Sequence, residues 1–323
     1  MTHLVRRAAY LLALTIWLIA HHAVPTAAQA LAYPAPIAPV EVPRVVSRGP
    51  WSGSLRLAHI FTETPTIKTF RLVDPAGCPI PFSFLPGQFL TLTIAQDAKT
   101  VKRSYTIASS PTQRDYVELT IKREELGSVS RHLHDQVREG DLLQVSTPQD
   151  YFTFTGAEAD SIVLIGGGVG LTPLMSVIRY LTDRGWRQDI YLLYCCRSTE
   201  DFVFREELEH LQRRYPTLHV VATMTRAAGT TWMGPTGRLT KELLAQTVPD
   251  LPSRRIHLCG PAAMMDAVRA ILLDFSTHER GSAAVPGWPA MVNPGDLSAK
   301  HQLLAATCEA WNDIRGVGWY KHH

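Results

Sequence analysis

The sequence predicts two domains in succession: an antiparallel β-barrel, then a doubly wound α/β domain on a parallel sheet. Three observations predict this. Short runs of β-forming residues, punctuated by turn residues, fill 51–154. From 161 to 273 apolar strands alternate with helical segments, which demands parallel strands joined by crossover helices. A glycine cluster, Gly166-Gly167-Gly168-Val169-Gly170, stands where the first of these strands gives way to the first of these helices.

In chain order, residues 1–30 come first. Arg6 and Arg7 precede an uncharged apolar run, and Ala28-Gln29-Ala30 offers small residues where a signal peptidase reads. This is the layout of a secretory signal or, extended over 8–24, of an uncleaved membrane anchor; a spanning helix needs about 20 residues. The protein is therefore expected to be exported or membrane-associated, and on the cytoplasmic side if the segment is not a true signal. Residues 31–50 carry five prolines (Pro34, Pro36, Pro39, Pro43, Pro50) and read as an extended linker. Within the barrel, 51–156, strands are expected at 67–73, 89–94, 104–108, 116–122 and 142–145, with one helix at 129–137. The α/β domain, 157–275, should contain strands at 161–165, 190–194, 219–223 and 255–258. Its helices should span 172–182, 204–214, 240–246 and 262–273. The segment 276–323 is an atypical tail expected to be loosely ordered: it lacks a clear period, apart from a helical pattern running from a cap at Asp296 to about Arg315.

Composition excludes several functions. The chain has 323 residues with 32 basic against 29 acidic side chains, a net charge of +3, which is too balanced for nucleic acid as the main partner. Its five cysteines, Cys78, Cys195, Cys196, Cys259 and Cys308, form no C-x-x-C pair and have no cluster-ligating spacing, so neither zinc nor an iron–sulfur centre is expected. A monomer is expected.

Three motifs carry chemistry. In the glycine cluster, bare backbone lets a pyrophosphate approach, and the following helix, with Thr172 and Pro173 in its first turn, presents unpaired N–H groups and a positive dipole end. Pro173 takes the third glycine position of G-x-G-x-x-G, so this is not the usual dinucleotide fingerprint. Cys195-Cys196-Arg197-Ser198 closes the next strand without the acid that would hold a ribose 2′-hydroxyl. Arg197, with Arg226 after the third strand, instead suits a 2′-phosphate, so NADPH is favoured over NADH. Arg103-Ser104-Tyr105-Thr106 sets a phosphate-binding fork and a flat ring on one strand face and two hydroxyls on the other.

With Cys259-Gly260-Pro261 after the last clear strand, these motifs resemble the ferredoxin–NADP reductase superfamily, in particular its bacterial oxygenase-reductase and flavohaemoglobin-reductase branch, without an identifiable 2Fe–2S domain. The likeness covers about 51–274. It implies a six-stranded FAD-binding barrel and an NAD(P)-binding domain. Arg103 would bind the FAD pyrophosphate, Tyr105 would pack on the isoalloxazine, and Thr106 would stand near flavin N5, with Ser104 beside them. Gly127-Ser128-Val129-Ser130, preceded by Lys122, would form a second phosphate-binding turn. Gly167, Gly168, Gly170, Thr172 and Pro173 would hold the nucleotide, and Cys259, Gly260 and Pro261 would flank the reacting nicotinamide carbon. The implied activity is an FAD-dependent NAD(P)H oxidoreductase that passes single electrons to a separate ferredoxin, haem or oxygenase component. Direct reduction of a small acceptor or oxygen is an alternative. Pro148-Gln149-Asp150-Tyr151-Phe152 lacks the family's usual glycine. After Asp274 neither a closing strand nor the usual Glu-x-Phe ending is legible, which leaves an FAD-binding relic with impaired turnover as a third reading.

Overall fold

The computed structural model describes residues 51–96, 99–149, 152–278 and 303–307. The expected signal or anchor and the linker lie outside the described residues. Six strands build the first sheet: β1 (Ser52–Thr64), β2 (Ile67–Val73), β3 (Phe89–Gln96), β4 (Lys99–Thr106), β5 (Tyr116–Lys122) and β6 (Leu142–Gln149). They pair antiparallel in the order β4-β3-β6-β1-β2-β5. Just beyond β4, Ile107 bridges Leu119, and the Ala108 N–H donates to Glu118 O at 2.8 Å. The sheet thus curls back on its own outer strand, which removes the open edges a flat sheet would expose. Alternate residues such as Leu55, Leu57, Leu90, Leu92, Val117 and Leu119 fill the interior, each fully buried side chain contributing about 1.5–3 kcal/mol. Helix α1 (Ser128–Asp135) covers the barrel with Val129 and Leu133 buried.

The long strand β1 is absent from the sequence-based expectation. Of its 13 residues Leu55, Leu57 and Thr64 are buried, and register shifts at Leu57/His59 and Thr62/Thr64 break the two-residue alternation that would have revealed it.

The second sheet contains β7 (Ile162–Gly167), β8 (Ile190–Cys196), β9 (Leu218–Met224), β10 (Arg255–Gly260) and β11 (Leu303–Thr307). All are parallel, in the order β11-β10-β7-β8-β9. Helices α2 (Leu171–Asp183), α3 (Arg205–Arg214), α4 (Lys241–Thr247) and α5 (Ala262–His278) alternate with them. Two apolar cores lie on opposite faces, one with Leu164, Leu174 and Leu192, the other with Val163, Ile165 and Leu258. The strand order reverses between β7 and β10, which is where a doubly wound sheet opens a ligand-binding crevice.

At Leu303–Thr307 the structure supplies a closing strand where the sequence suggests a loosely ordered tail with a helical pattern. Leu303 stands opposite Ile256, and the pairing runs to Thr307 opposite Gly260. Leucine and alanine favour helix when nothing else decides, and a run of four apolar residues closed by Thr307 carries too little pattern to say otherwise. The outer edge of β10, a row of backbone groups needing partners, decides for strand. Among the described residues no helix is long and apolar enough to cross a membrane.

Candidate functional site

Strands β7 and β10 lie side by side with Gly166 opposite Cys259, and β8 brings Tyr194 and Cys195 opposite Gly166 and Gly167. The strands therefore run one or two residues further than the sequence suggests, through the glycines and through Cys259-Gly260. The next turn, Gly168–Gly170, is a single 3₁₀ turn that leads into α2. A Cβ on Gly170 would fall 2.4 Å from Cys259 O, and one on Gly167 would fall 2.3 Å from Met264 Sδ and 3.2 Å from Pro261 Cδ. Only bare backbone lets the turn press onto Cys259-Gly260-Pro261. Gly168 differs: at φ +55° it faces open space, a left-handed position that favours glycine and leaves the backbone approachable. Thr172 and Pro173 are buried at the start of α2, with the Thr172 hydroxyl donating to Val169 O at 3.0 Å. A half-buried glycine backbone with open space beside it at a helix entry suits a pyrophosphate.

Beyond β8, Arg197 and Arg226 come together, the Arg226 N–H donating to Arg197 O at 2.6 Å. Arg197 is not a lone cation. Its guanidinium lies 2.7 Å from Asp201, which also accepts from the Ser198 hydroxyl at 3.0 Å. Burial opposes charge on Asp201, but the hydrogen bonds from Arg197 and Ser198 and the charge of Arg226 hold its carboxyl below the usual range. Sequence reading missed this acid, although its i+4 spacing from Arg197 was legible. Cys195 and Cys196 are both pushed up to about 12 by burial and act as neutral thiols.

On the barrel, Arg103 is half-buried on β4 and gives one N–H to Lys102 O at 2.8 Å, which leaves the rest of its fork. Ser104, Tyr105 and Thr106 are buried. Ser104 Oγ is 3.0 Å from Thr91 Oγ1 on β3. Tyr105 joins the barrel core, and burial raises its phenol well above the usual range, so the ring stays neutral. Gly127 caps α1; the Ser130 hydroxyl donates to Gly127 O at 3.2 Å and accepts from Glu124 N–H at 3.1 Å. Ser128 is exposed and Val129 is core, so Val129 has only its backbone to offer a ligand. Lys122 pairs with Glu124 at 2.8 Å.

The strand with Thr106 runs directly into the segment that α2 grips. Ser176 donates to Ser109 O at 2.9 Å and Arg179 to Ala108 O at 2.8 Å. Arg179 also bonds Glu118 at 3.1 Å and Glu207 at 2.6 Å, while Arg71 holds the other oxygen of Glu118 at 2.7 Å. Its guanidinium stacks 4.8 Å from the Phe204 ring, whose residue sits at φ 55°. None of these long-range pairs has a local sequence signal. Beside them opens a cleft of about 620 Å³ lined by Phe61, Glu63, Arg71, Phe202 and Glu206, among others. None of the sequence-predicted site residues lines it. On β10, His257 is fully buried, with Nε2 3.3 Å from Thr153 O and Nδ1 without a partner.

Comparison with known proteins agrees with this architecture. The oxidoreductase FAD-binding domain family matches residues 61–154, and the oxidoreductase NAD-binding domain family matches 164–270. The glycine betaine monooxygenase reductase subunit of Chromohalobacter salexigens is 36% identical over 264 residues, covering 80% of this chain and 69% of its own. NADH oxidoreductase HCR of Escherichia coli is 35% identical over 219 residues, 68% of this chain and 63% of the relative's length. In fold, the ferredoxin NADP⁺ reductase of Neisseria gonorrhoeae superposes with a TM-score of 0.62 at 20% identity, over 79% of this chain and 98% of that one. The chain belongs to the ferredoxin–NADP reductase superfamily, as an oxidoreductase that binds FAD and a pyridine nucleotide.

Proposed function

We propose that this protein is a reductase that draws electrons from NADH through FAD and delivers them singly to a separate acceptor protein. The carrying observation is the side-by-side placement of Gly166 and Cys259 at the switch point of the parallel sheet, with the glycine turn pressed against Cys259-Gly260. The same domain is clamped to the barrel segment that follows Thr106. Bound FAD would supply the redox chemistry, taking two electrons from the nicotinamide and giving them up singly. The protein's part is position. Arg103 and the α1 entry, Gly127 to Ser130 with Lys122 nearby, hold phosphate on the barrel. Tyr105 offers a neutral ring and Thr106 a hydroxyl, while Cys259, Gly260 and Pro261 shape the nicotinamide slot beside Gly167 and Gly170.

The choice of NADH departs from the sequence-based preference for NADPH. Asp201 already neutralises Arg197, and a carboxylate accepts a ribose 2′-hydroxyl but repels a 2′-phosphate. A separate acceptor is supported by the relative named as a monooxygenase reductase subunit. Membrane tethering through residues 8–24 remains part of the proposal. Titrating the full-length yellow protein anaerobically with NADH or NADPH, then adding a ferredoxin, a quinone or oxygen, tests this reading. Rapid bleaching by NADH and reoxidation preferentially by the protein acceptor support it; preferential reoxidation by oxygen or quinone would favour the direct reductase.

A further inference from the structure

The chemistry assigned above requires a fixed spacing between the barrel's hydroxyl-bearing strand end and the strand end that carries Cys259, and a line of contacts joins the two. From Thr106 the chain passes to Ile107, whose N–H donates to Gln88 O at 2.9 Å. The Gln88 side chain accepts from Leu85 N–H at 2.8 Å, closing the turn that contains Gly87. Gly87 is at φ +100°, and a Cβ there would lie 2.0 Å from Phe152 O. The turn therefore rests directly on the connector between the two domains. The Phe152 ring meets the His257 ring edge-on, with centroids 4.8 Å apart. Phe154 also meets that ring edge-on, with centroids 5.9 Å apart, and His257 Nε2 lies 3.3 Å from the carbonyl of Thr153, the residue between the two phenylalanines in sequence. His257 lies two residues before Cys259 on β10. By strand alternation the two share a face, and Cys259 packs in the same core as Phe152 and Phe154.

We propose that His257 is a positioning residue, tying the domain connector to β10 and so setting how far Cys259 stands from the flavin-side turn. A carbonyl can only accept, so Nε2 carries the proton and Nδ1 is a buried lone pair without a partner. Such a group is costly to bury, and a phenyl ring would fill this apolar place without that cost. What phenyl cannot do is hold the Thr153 carbonyl. Burial keeps the imidazole neutral, its pKa lowered to about 3, so the single N–H is always available for that bond.

This inference rests on the reductase reading, and the test separates the two. In stopped-flow work on the FAD-loaded full chain, His257→Phe should lower the limiting rate of flavin reduction by about tenfold to a hundredfold while leaving the NADH dissociation constant little changed. His257→Gln, which keeps a donor, should restore much of that rate. Amide exchange on the flavin-free protein gives a second readout: His257→Phe should speed exchange in the connector (152–156) and at Cys259 and Gly260. Should the Phe variant fail to fold, Phe152→Leu, which removes the ring packed edge-on against His257, should produce the same split between rate and affinity. Unchanged rate and unchanged exchange in a folded variant would reduce His257 to a core residue and overturn the proposal, leaving the reductase reading intact. Wild-type protein that NADH cannot bleach would overturn the reductase reading instead, and faster exchange in the variant would still support the tie between connector and strand.

Discussion

Arg103 illustrates how much a single side chain can be asked to do. It spends one N–H on Lys102 O and keeps the rest of its fork at the barrel surface, so Arg103→Ala should leave the fold intact. Loss of a charge-assisted hydrogen bond of about 1.5–3 kcal/mol should weaken FAD binding by more than about tenfold; flavin occupancy measured after dialysis checks it. Asp201→Asn should release Arg197 and shift the preference between the two nucleotides towards NADPH, read as the ratio of their kcat/KM values. An unchanged ratio would remove Asp201 from nucleotide selection. His257 makes a prediction about pH. Its folded pKa of about 3 lies below the ordinary histidine value of 6.5, so between those two values the unfolded chain binds the extra proton. Its contribution to stability is therefore complete above about pH 6.5 and is lost as the pH falls towards 3. Denaturant unfolding at pH 5 and pH 7.5 should show a smaller pH-dependent loss in His257→Phe than in the wild type.

At the scale of elements, the glycine turn is the most constrained piece of backbone. Gly170→Ala would drive a methyl into Cys259 O, parting the turn from β10. It should impair nucleotide binding more than FAD binding, as parallel titrations of the two cofactors would reveal. This turn was legible in the sequence, because a glycine cluster between an apolar strand and a proline-started helix has few other uses. β5 and β2 were legible as well, for their β-branched and apolar residues form compact runs between turns. β1 was not, since its bulges and mostly half-exposed face erase the alternation. β11 is not legible as a strand, because its identity comes from the edge of β10 rather than from its own residues. Arg103, Tyr105 and Cys259 could be picked out because each sits in a motif with an ordered neighbourhood. Asp201 and His257 could not, because the roles proposed for them rest on partners that only folding supplies.

Across the whole molecule, the two domains are joined by groups far apart in the sequence. Arg179 on α2 binds Ala108 O and Glu118 of the barrel and Glu207 of α3, and Glu118 is shared with Arg71. Glu118 is only 7% exposed, and removing Arg179 would leave its carboxylate with Arg71 as its remaining ion-pair partner. Arg179→Ala should cost about 1.5–3 kcal/mol, the worth of a hydrogen bond to a charged group, seen as an earlier midpoint in urea unfolding. It should also loosen the domain junction enough to slow flavin reduction without abolishing FAD binding. The most direct test of two cofactor sites joined across that junction is the anaerobic absorption spectrum of the full-length, FAD-loaded protein before and after one equivalent of NADH. Rapid loss of the flavin bands in the wild type, slowed about tenfold in Cys259→Ala with FAD still bound, is the expected result. Bands that persist in the wild type, or vanish equally fast in the variant, would contradict the placement of nicotinamide beside Cys259.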